Sequence, residues 1–361
     1  MKRLTYLYIL SGLIVPGFEA SAQQRPPSIS SPEVNADNTV TFRYYSRTAQ
    51  NVSVSGELLT APQQLKKDTT GVWSITVGPI KPDIYPYSFW VDSVQLADPN
   101  NTLIFANERF KRSIVEIPGS TALIHSLQNV PHGKISYRYY KSGTLETIRQ
   151  LLVYTPPGFD PNGKTKYPVL YLIHGGSDTE ETWTKVGRAN FIADNLIAQK
   201  KAVPMIIVMP YANVRPKPMP DFTNDMMKDI IPFIEASYPV FTDSKNRAVA
   251  GFSVGGGQTL NIGIPNANKF AYVCSYAPYS ATEEFTKNFT NWTPDANKIN
   301  SQLKLLTISV GTEDFLYESV KKNIAMFEEK KIKLKTYIVP GGHTWMNCKQ
   351  YLATTLQEIF K

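Results

Sequence analysis

Two patterns of hydrophobic and polar residues divide the chain. Up to about residue 120, apolar and polar residues alternate over short segments such as 40–44 and 85–91, and Gly, Pro, Asn and Asp separate these segments. Alternation places every second side chain on one face of a β-strand, and short strands between turn residues are typical of antiparallel sandwiches. The pattern predicts a β-sandwich domain over residues 23–120 and a connector over residues 121–135.

From residue 136 to residue 361, apolar runs alternate with amphipathic stretches. Runs such as 169–173 and 305–310 are apolar along most of their length, whereas 190–199 and 319–330 have the spacing of helices with one apolar face. Strands without a polar face are buried on both sides, as in a parallel sheet that helices cover. The second domain is therefore predicted to be α/β, with a mostly parallel sheet and helices on both faces.

Four aromatic residues of the first domain leave two interpretations open. As core residues they would fill the sandwich, and as exposed residues they would stack on sugar rings. Alternating aromatics in a small sandwich usually form its core, which is the interpretation that we favour. The four are Trp73, Tyr85, Tyr87 and Trp90.

The first 22 residues have the three parts of a secretory signal peptide. Lys2 and Arg3 precede a mostly apolar stretch over residues 4–18, and Ala20-Ser21-Ala22 fits a cleavage site. We expect cleavage after Ala22 and a secreted or periplasmic protein. No later run reaches the roughly 20 apolar residues of a membrane span, so none is expected.

The charge distribution argues against a nucleic-acid partner, and the two cysteines leave their redox state open. The formal net charge is +8, but the basic residues are scattered among acidic ones. Nucleic-acid-binding proteins concentrate such residues in a patch or stripe, so no nucleic-acid partner is expected. Cys274 and Cys348 leave a disulfide and two buried free thiols as alternatives.

The pentapeptide Gly251-Phe252-Ser253-Val254-Gly255 matches the nucleophile elbow of α/β-hydrolases. Residues 248–250 before it predict a short buried strand, and residues 258–262 after it predict a helix. The sharp turn between them leaves no room for side chains two positions from the serine, which explains both glycines. Ser253 is the candidate nucleophile.

The base and the acid must follow the serine in this fold. His343 is the only histidine downstream of Ser253, and it lies on a glycine-rich loop after a strand-like run. The preceding strand runs into a loop with two carboxylates, of which Asp314 is our choice and Glu313 the alternative. A serine hydroxyl becomes nucleophilic when a neutral imidazole accepts its proton, and the carboxylate orients that imidazole. This chemistry uses no metal or cofactor, and none is expected.

The oxyanion of the intermediate needs preorganised N–H donors. One is the backbone N–H of Val254, directly after the nucleophile. The other is expected after an earlier strand, and the turn that follows residues 169–173 makes Gly176 the candidate. His174 in the same turn is expected to brace the loop through hydrogen bonds.

Five motifs in order resemble carbohydrate esterase family 1, the feruloyl and acetylxylan esterases. They cover about residues 130–361 and read YPVLYLIHGG, WTKVGRANFIADNLIA, NRAVAGFSVGGGQTLNIG, GTEDF and GGHTW. The resemblance implies an α/β-hydrolase fold, with roles that agree with the residue-based predictions: Ser253 nucleophile, Asp314 acid, His343 base, Gly176 and Val254 oxyanion donors. Residues 71–92 also resemble early-set modules related to family 48 carbohydrate-binding modules.

The expected function is an exported serine carboxylic ester hydrolase that removes feruloyl or acetyl groups from plant xylan. Its partner would be a cell-wall polysaccharide or a feruloylated or acetylated oligosaccharide. Trp183 and Trp345 are candidates for the walls of an aromatic acyl pocket, with core packing as the alternative. Two other functions remain open, namely a siderophore esterase of the enterochelin type and a catalytically inactive glycan-binding protein. The same residues also serve acyl transfer to a sugar.

The first domain is expected to be a scaffold. Leu123 and Ile124 make the connector apolar enough to dock one domain on the other. Deleting residues 23–120 is therefore predicted to lower stability or solubility. It is also predicted to leave kcat/KM largely unchanged, because every candidate site residue lies beyond residue 170.

Overall fold

A computed structural model describes residues 27–215, 218–289 and 291–361. The predicted signal peptide, residues 1–22, lies outside these residues. The described strands form three sheets, two small ones before residue 118 and one of eight strands after residue 133.

The two small sheets form a sandwich, and all their neighbouring strands are antiparallel. One sheet has the order β1-β2-β6-β5, and the other has the order β4-β3-β7-β10-β9 with β8 paired to β7. The strands are β1 (Glu33–Val34), β2 (Val40–Tyr45), β3 (Val52–Gly56), β4 (Gln63–Gln64), β5 (Lys66–Lys67), β6 (Val72–Val77), β7 (Asp83–Val91), β8 (Val94–Leu96), β9 (Ile104–Ala106) and β10 (Lys111–Ile117).

Aromatic side chains from both sheets fill the sandwich. Phe42 of β2 packs across the layers on Tyr87 of β7, with ring centroids 4.8 Å apart. Trp73, Tyr85 and Tyr87 are buried, as the core interpretation predicts. Trp90 is different because it is 38% exposed, and its indole N–H donates to the Ser55 hydroxyl at 3.0 Å on the outer surface.

The second domain has helices on both sides of the eight-stranded sheet. A π-helical turn at Met226–Ile230 joins its third and fourth helices. The elements are β11 (Lys134–Ser142), β12 (Thr147–Thr155), β13 (Val169–Ile173), α1 (Thr182–Lys185), α2 (Ala189–Ala198), β14 (Ile206–Pro210), α3 (Pro218–Asp225), α4 (Ile231–Ser237), β15 (Arg247–Phe252), α5 (Val254–Gly263), β16 (Tyr272–Tyr276), α6 (Glu283–Phe289), α7 (Ala296–Gln302), β17 (Leu305–Gly311), α8 (Tyr317–Glu329), β18 (Lys335–Val339) and α9 (Trp345–Glu358). Within the described ranges, no helix has the length and apolarity needed to cross a bilayer.

The strand order of the large sheet is β11-β12-β14-β13-β15-β16-β17-β18. Strand β12 pairs antiparallel with both of its neighbours, β11 and β14. All other neighbouring pairs, from β14 to β18, are parallel. The central strands β13 to β16 are buried along their whole length, because helices cover both faces. The predicted α/β architecture is confirmed, and its parallel strands end at one edge of the sheet.

The two domains share one hydrophobic core. Ile84, Phe105 and Ile114 of the sandwich belong to the same buried cluster as the large sheet. Phe105 packs edge-on against Trp345 at 6.2 Å, and the Lys349 ammonium of α9 lies 2.5 Å from the Asp83 carboxylate of β7. Lys349 is buried and Asp83 is mostly buried, so loss of either partner would leave a charge poorly solvated, and the pair helps to hold the domains together.

The two cysteines are buried free thiols. Cys274 lies in β16 and Cys348 lies in α9, on different layers of the domain. Burial raises the pKa of the Cys274 thiol to about 11, so the thiol stays protonated at neutral pH. Of the two alternatives that the sequence leaves open, the structure has the free thiols.

Candidate active site

Ser253 occupies a strained turn between β15 and α5. Its φ is +57°, a conformation that non-glycine residues adopt rarely and that recurs at functional sites. A Cβ placed on Gly251 would lie 2.4 Å from the Gly255 carbonyl oxygen, and one on Gly255 would lie 2.3 Å from the His174 carbonyl oxygen. The structure thus has the close backbone approach that the pentapeptide predicts.

Helix α5 begins at Val254, four residues earlier than the sequence predicts. The glycines 255–257 belong to the helix, although glycine is unfavourable in a helix interior. Gly256 is needed for close packing, because a Cβ on it would lie 2.8 Å from the Tyr276 carbonyl oxygen of β16, and Gly255 is needed for the approach to His174 given above. Tight packing against the neighbouring strands therefore outweighs helix propensity here.

His343 and Asp314 form a hydrogen-bonded pair at the end of the sheet. The His343 Nδ1 lies 2.8 Å from the Asp314 Oδ2, and the other carboxylate oxygen accepts the Leu316 N–H at 2.8 Å. The Asp314 side chain is buried and that of His343 is 17% exposed, whereas Glu313 is exposed. An imidazole that donates Nδ1–H to a buried carboxylate presents Nε2 as a base, so this geometry favours Asp314 over Glu313.

Two phenyl rings flank the His343 imidazole. Phe252, directly before the serine, lies 4.4 Å from it between ring centroids, and Phe315, directly after the acid, lies 4.6 Å from it. Phe252 is buried, whereas Phe315 is 76% exposed. Phe315 is not among the residues predicted from the sequence, although its position next to the candidate acid in the motif GTEDF is a signal for it.

The hydrogen bonds of the described residues join His343 to Asp314 but include none from the Ser253 hydroxyl to His343. Phe252 links the serine turn to the His343–Asp314 pair, because it precedes Ser253 and packs on the His343 imidazole. Catalytic hydrogen bonds often tighten only when substrate is bound. The packing of His343 on Phe252 therefore places the candidate base on the same side of the sheet edge as Ser253.

Gly176 and Val254 face each other across the turn after β13. A Cβ placed on Gly176 would lie 2.9 Å from the Val254 Cγ2, so the two backbones are neighbours. Val254 is the first residue of α5, where backbone N–H groups have no partner within the helix and carry its positive partial charge. The structure therefore brings the two candidate oxyanion donors next to each other.

His174 braces this turn from inside. Its Nδ1 lies 2.8 Å from the Gly175 carbonyl oxygen, and its Nε2 accepts the Ala212 N–H at 2.9 Å. A ring that accepts at Nε2 and donates at Nδ1 is neutral. Burial lowers the pKa of His174 to about 4, in agreement with the bracing role that the sequence predicts.

The His174 contacts predict a pH-dependent contribution to stability. A folded-state pKa below the unfolded value of about 6.5 means that this contribution is complete above pH 6.5 and is lost as the pH falls towards 4. The difference in unfolding free energy between wild type and His174→Ala should shrink by about 3 kcal/mol between pH 7 and pH 4. Urea unfolding of both proteins at the two pH values measures it. An equal difference at both would contradict the neutral, buried ring.

Trp183 and Trp345 lie in the core behind the site. Trp183 has 0% of its surface exposed and Trp345 has 3%. Their rings pack edge to face at 5.0 Å, and the Trp183 indole N–H donates to the Ile173 carbonyl. With no face of either ring open to a ligand, the two indoles support Phe252, which lies 5.7 Å from Trp345. Their position agrees with the core alternative.

The sandwich also reaches the site, which the sequence does not predict. Asn107 of the loop after β9 donates to the Asp178 carboxylate at 3.0 Å, two residues beyond Gly176. Glu57, after β3, accepts the N–H of Trp345 at 3.2 Å, two residues beyond His343. No local sequence signal identifies such contacts, because the partners are 71 and 288 residues apart.

The order of serine, carboxylate and histidine along the chain, and the elbow after β15, are those of the α/β-hydrolases, which is the class that the fold defines. Within that class, residues 142–358 match the Esterase family, whose description reads "Putative esterase". Because this match covers more than half of the chain, the protein belongs to the esterase family.

A curated relative extends the similarity to both domains. The "Endo-1,4-beta-xylanase/feruloyl esterase" of Xylanibacter ruminicola is 28% identical over 352 residues, which are 93% of this chain and 46% of that protein. The "Endo-1,4-beta-xylanase Y" of Acetivibrio thermocellus is 31% identical over 143 residues, which are 37% of this chain and 13% of that protein. The chain thus spans less than half the length of either relative.

Solved structures agree with the fold and with the predicted resemblance to carbohydrate esterase family 1. A ferulic acid esterase matches with a TM-score of 0.58 and 25% identity, over 63% of this chain and 97% of that one. The enterobactin esterase of Shigella flexneri matches with a TM-score of 0.67 and 18% identity, over 89% of this chain and 92% of that one. The latter likeness concerns the fold alone, and it includes the sandwich.

Proposed function

We propose that the protein is an exported serine esterase that removes feruloyl, or acetyl, groups from plant xylan. The observation that carries the ester chemistry is the buried Asp314 bonded to His343 at the sheet edge where Ser253 occupies the elbow. The N-terminal run that ends in Ala20-Ser21-Ala22 supports export.

The reaction proceeds through two acyl transfers. The Ser253 hydroxyl attacks the ester carbonyl while His343 Nε2 takes its proton, and Asp314 stabilises the imidazolium. The N–H groups of Gly176 and Val254 hold the negative oxygen of the tetrahedral intermediate. Collapse releases the sugar alcohol, which takes the proton from His343. Water then attacks the acyl-enzyme by the same steps, which frees the acid and restores Ser253.

Two similarities support the feruloyl substrate. The Xylanibacter ruminicola relative is named for both xylanase and feruloyl esterase activity, and this chain corresponds to 46% of it. The ferulic acid esterase structure is matched over 97% of its length by this chain, so the shared part fits the esterase activity. Both names refer to esters of ferulic acid, and the xylanase activity in the name of the first relative supports xylan as the carrier of that ester.

Phe315 is the proposed wall for an aromatic acyl group. It is 76% exposed and stands beside the base, where a planar acyl chain would cover it. Burial of a phenylalanine side chain contributes roughly 1.5–3 kcal/mol. Phe315→Ala should therefore lower kcat/KM for methyl ferulate about 10-fold or more, and that for p-nitrophenyl acetate far less.

The matched control for Phe315 is Phe241→Ala, a substitution of another exposed phenylalanine on the hydrolase surface. It should leave both substrates unaffected. Equal losses on methyl ferulate and on the acetate ester in Phe315→Ala would show that the ring acts on His343 and not on the acyl group. Steady-state kinetics on the two esters gives the answer.

A panel of esters tests the proposed function. Methyl ferulate, acetylated xylan, p-nitrophenyl acetate and a catecholate siderophore are compared by kcat/KM. We expect methyl ferulate or acetylated xylan to exceed the siderophore by a wide margin. Preference for the siderophore would favour the enterobactin-type alternative, whose fold likeness extends over both domains. Turnover of none would favour the inactive, glycan-binding alternative.

A further inference from the structure

The loop between β9 and β10 of the sandwich pairs with the turn that follows β13. Asn107 and Asp178 form an antiparallel β-bridge, and the Glu108 N–H donates to the Ser177 carbonyl at 2.7 Å. Ser177 has a φ of +63°, a conformation that neighbouring contacts must hold in place. The sandwich thus fixes the backbone directly after Gly176.

Side chains extend this bridge to the turn itself. The Asn107 amide donates to the Asp178 Oδ1 at 3.0 Å, and its own oxygen accepts the Arg109 N–H at 2.9 Å, which sets the orientation of the amide. The second oxygen of Asp178 would lie 3.1 Å from a Cβ on Gly175. Asn107 and Asp178 are both buried. A chain of buried contacts therefore runs from the sandwich to the Gly175–Gly176 turn.

We propose that Asn107 is a positioning residue for the hydrolase site: through Asp178 it holds the turn whose Gly176 N–H stabilises the oxyanion. The inference rests on the proposed ester chemistry and adds that the first domain takes part in it. A donor must lie within about 0.5 Å of its productive position, because oxyanion stabilisation depends on preorganised dipoles. Loss of the Asn107 amide would remove the side-chain donor of a buried carboxyl group that also bonds the Gly175 backbone, and the turn would rearrange.

The test compares Asn107→Ala with a matched variant of the same domain. Asn107→Ala should lower kcat on methyl ferulate about 10- to 100-fold and change KM less than about threefold, since the oxyanion forms only after binding. Asn101→Ala is the control. The Asn101 amide bonds Tyr87 and the Ile114 carbonyl, both within the sandwich. It should lower the melting temperature and leave kcat within about twofold of wild type.

Exchange of the Asn107 and Asp178 side chains tests for recovery of kcat, which a general loss of stability would not produce. Asn107→Asp places a second carboxylate against Asp178 and should lower kcat at least as much as Asn107→Ala. Burial and the Glu57 carboxylate raise the pKa of Asp178, and Arg112 lowers it. In Asn107→Asp the donor amide is lost and the two carboxyls can share a proton at low pH only, so this loss, relative to wild type at the same pH, should grow as the pH rises. Adding Asp178→Asn restores an amide opposite a carboxylate, and the double variant should recover to within about threefold of wild type.

A second measurement separates this inference from the proposed substrate. The rate at which a fluorophosphonate labels Ser253 depends on the base and the oxyanion donors but on no acyl group of a natural substrate. It should fall in Asn107→Ala and recover in the exchanged variant. If methyl ferulate is not hydrolysed but labelling follows this pattern, the substrate proposal fails and the positioning role stands.

Three results would overturn the positioning role. One is an equal loss of kcat in Asn101→Ala, and another is an effect of Asn107→Ala on KM alone. The third is an exchanged variant no better than Asn107→Asp. Should Asn107→Ala fail to fold, Asn107→Ser keeps an acceptor for the Arg109 N–H but does not reach Asp178, and the same loss of kcat and of labelling rate is expected from it.

Discussion

Replacement of Ser253 by alanine should lower kcat by about 10⁴-fold or more. The hydroxyl is the only group of this residue that the proposed reaction uses, and without it no acyl-enzyme forms. The variant should stay folded, because the serine packs little: it is only partly buried, and its strained backbone is held by the Tyr276 and Tyr279 backbone groups. Steady-state kinetics measures the loss of kcat. Mass spectrometry of fluorophosphonate-treated protein shows whether residue 253 still forms a covalent adduct.

The control for Ser253→Ala is Ser301→Ala in α7, where the hydroxyl is exposed and donates only to the Lys298 carbonyl. It should have wild-type activity and should not alter labelling. A Ser253→Ala protein with a tenth of the wild-type activity, or one that is still labelled at the same rate, would remove Ser253 from the role of nucleophile. The unfolding free energy of both variants should lie within about 1 kcal/mol of wild type.

The second large effect is expected for Asp314→Asn, which should lower kcat about 10⁴-fold. The Asp314 Oδ2 holds the Nδ1 of His343 at 2.8 Å, and an amide in its place can donate to that nitrogen and favour the wrong tautomer. Phe252 and Phe315 keep the imidazole between their rings, so the loss should come from the tautomer and not from a displaced ring.

Glu313→Gln is the matched control, because it removes a carboxylate one residue away. Glu313 is exposed, and its backbone N–H donates to the Gly341 carbonyl near His343, a bond that the substitution keeps. Its kcat should stay within about twofold of wild type. If Glu313→Gln loses more activity than Asp314→Asn, the glutamate is the acid of the site.

Removal of the sandwich now has a different expected outcome. The sequence predicts a loss of stability with kcat/KM unchanged, because the candidate site residues lie beyond residue 170. The first part agrees with Phe105 and Ile114 in the shared core. The second part changes under the proposed positioning role, because Asn107 bonds Asp178, two residues beyond Gly176. Deletion of residues 23–120 should therefore also lower kcat in the fraction that stays folded.

The sequence by itself determined the features that depend on local rules. Alternation and uniform apolarity along strands predicted the sandwich and the mainly parallel sheet, because burial on one face or on two leaves a periodic trace. The elbow was predictable at Ser253 because the glycines on either side are a steric requirement of one short turn. His343 was predicted as the base because it is the only histidine after Ser253 in the sequence.

Only the tertiary structure decided which side chains meet. Asp314 and Glu313 are adjacent in sequence, and the turn after β17 buries the first against His343 while the second remains exposed. Packing also placed Trp183 in the core and left Phe315 exposed. The contact of Asn107 with Asp178 links two domains across 71 residues. Such pairs depend on how separate elements dock, and docking is set by the summed shape and burial of many residues, which no local pattern records.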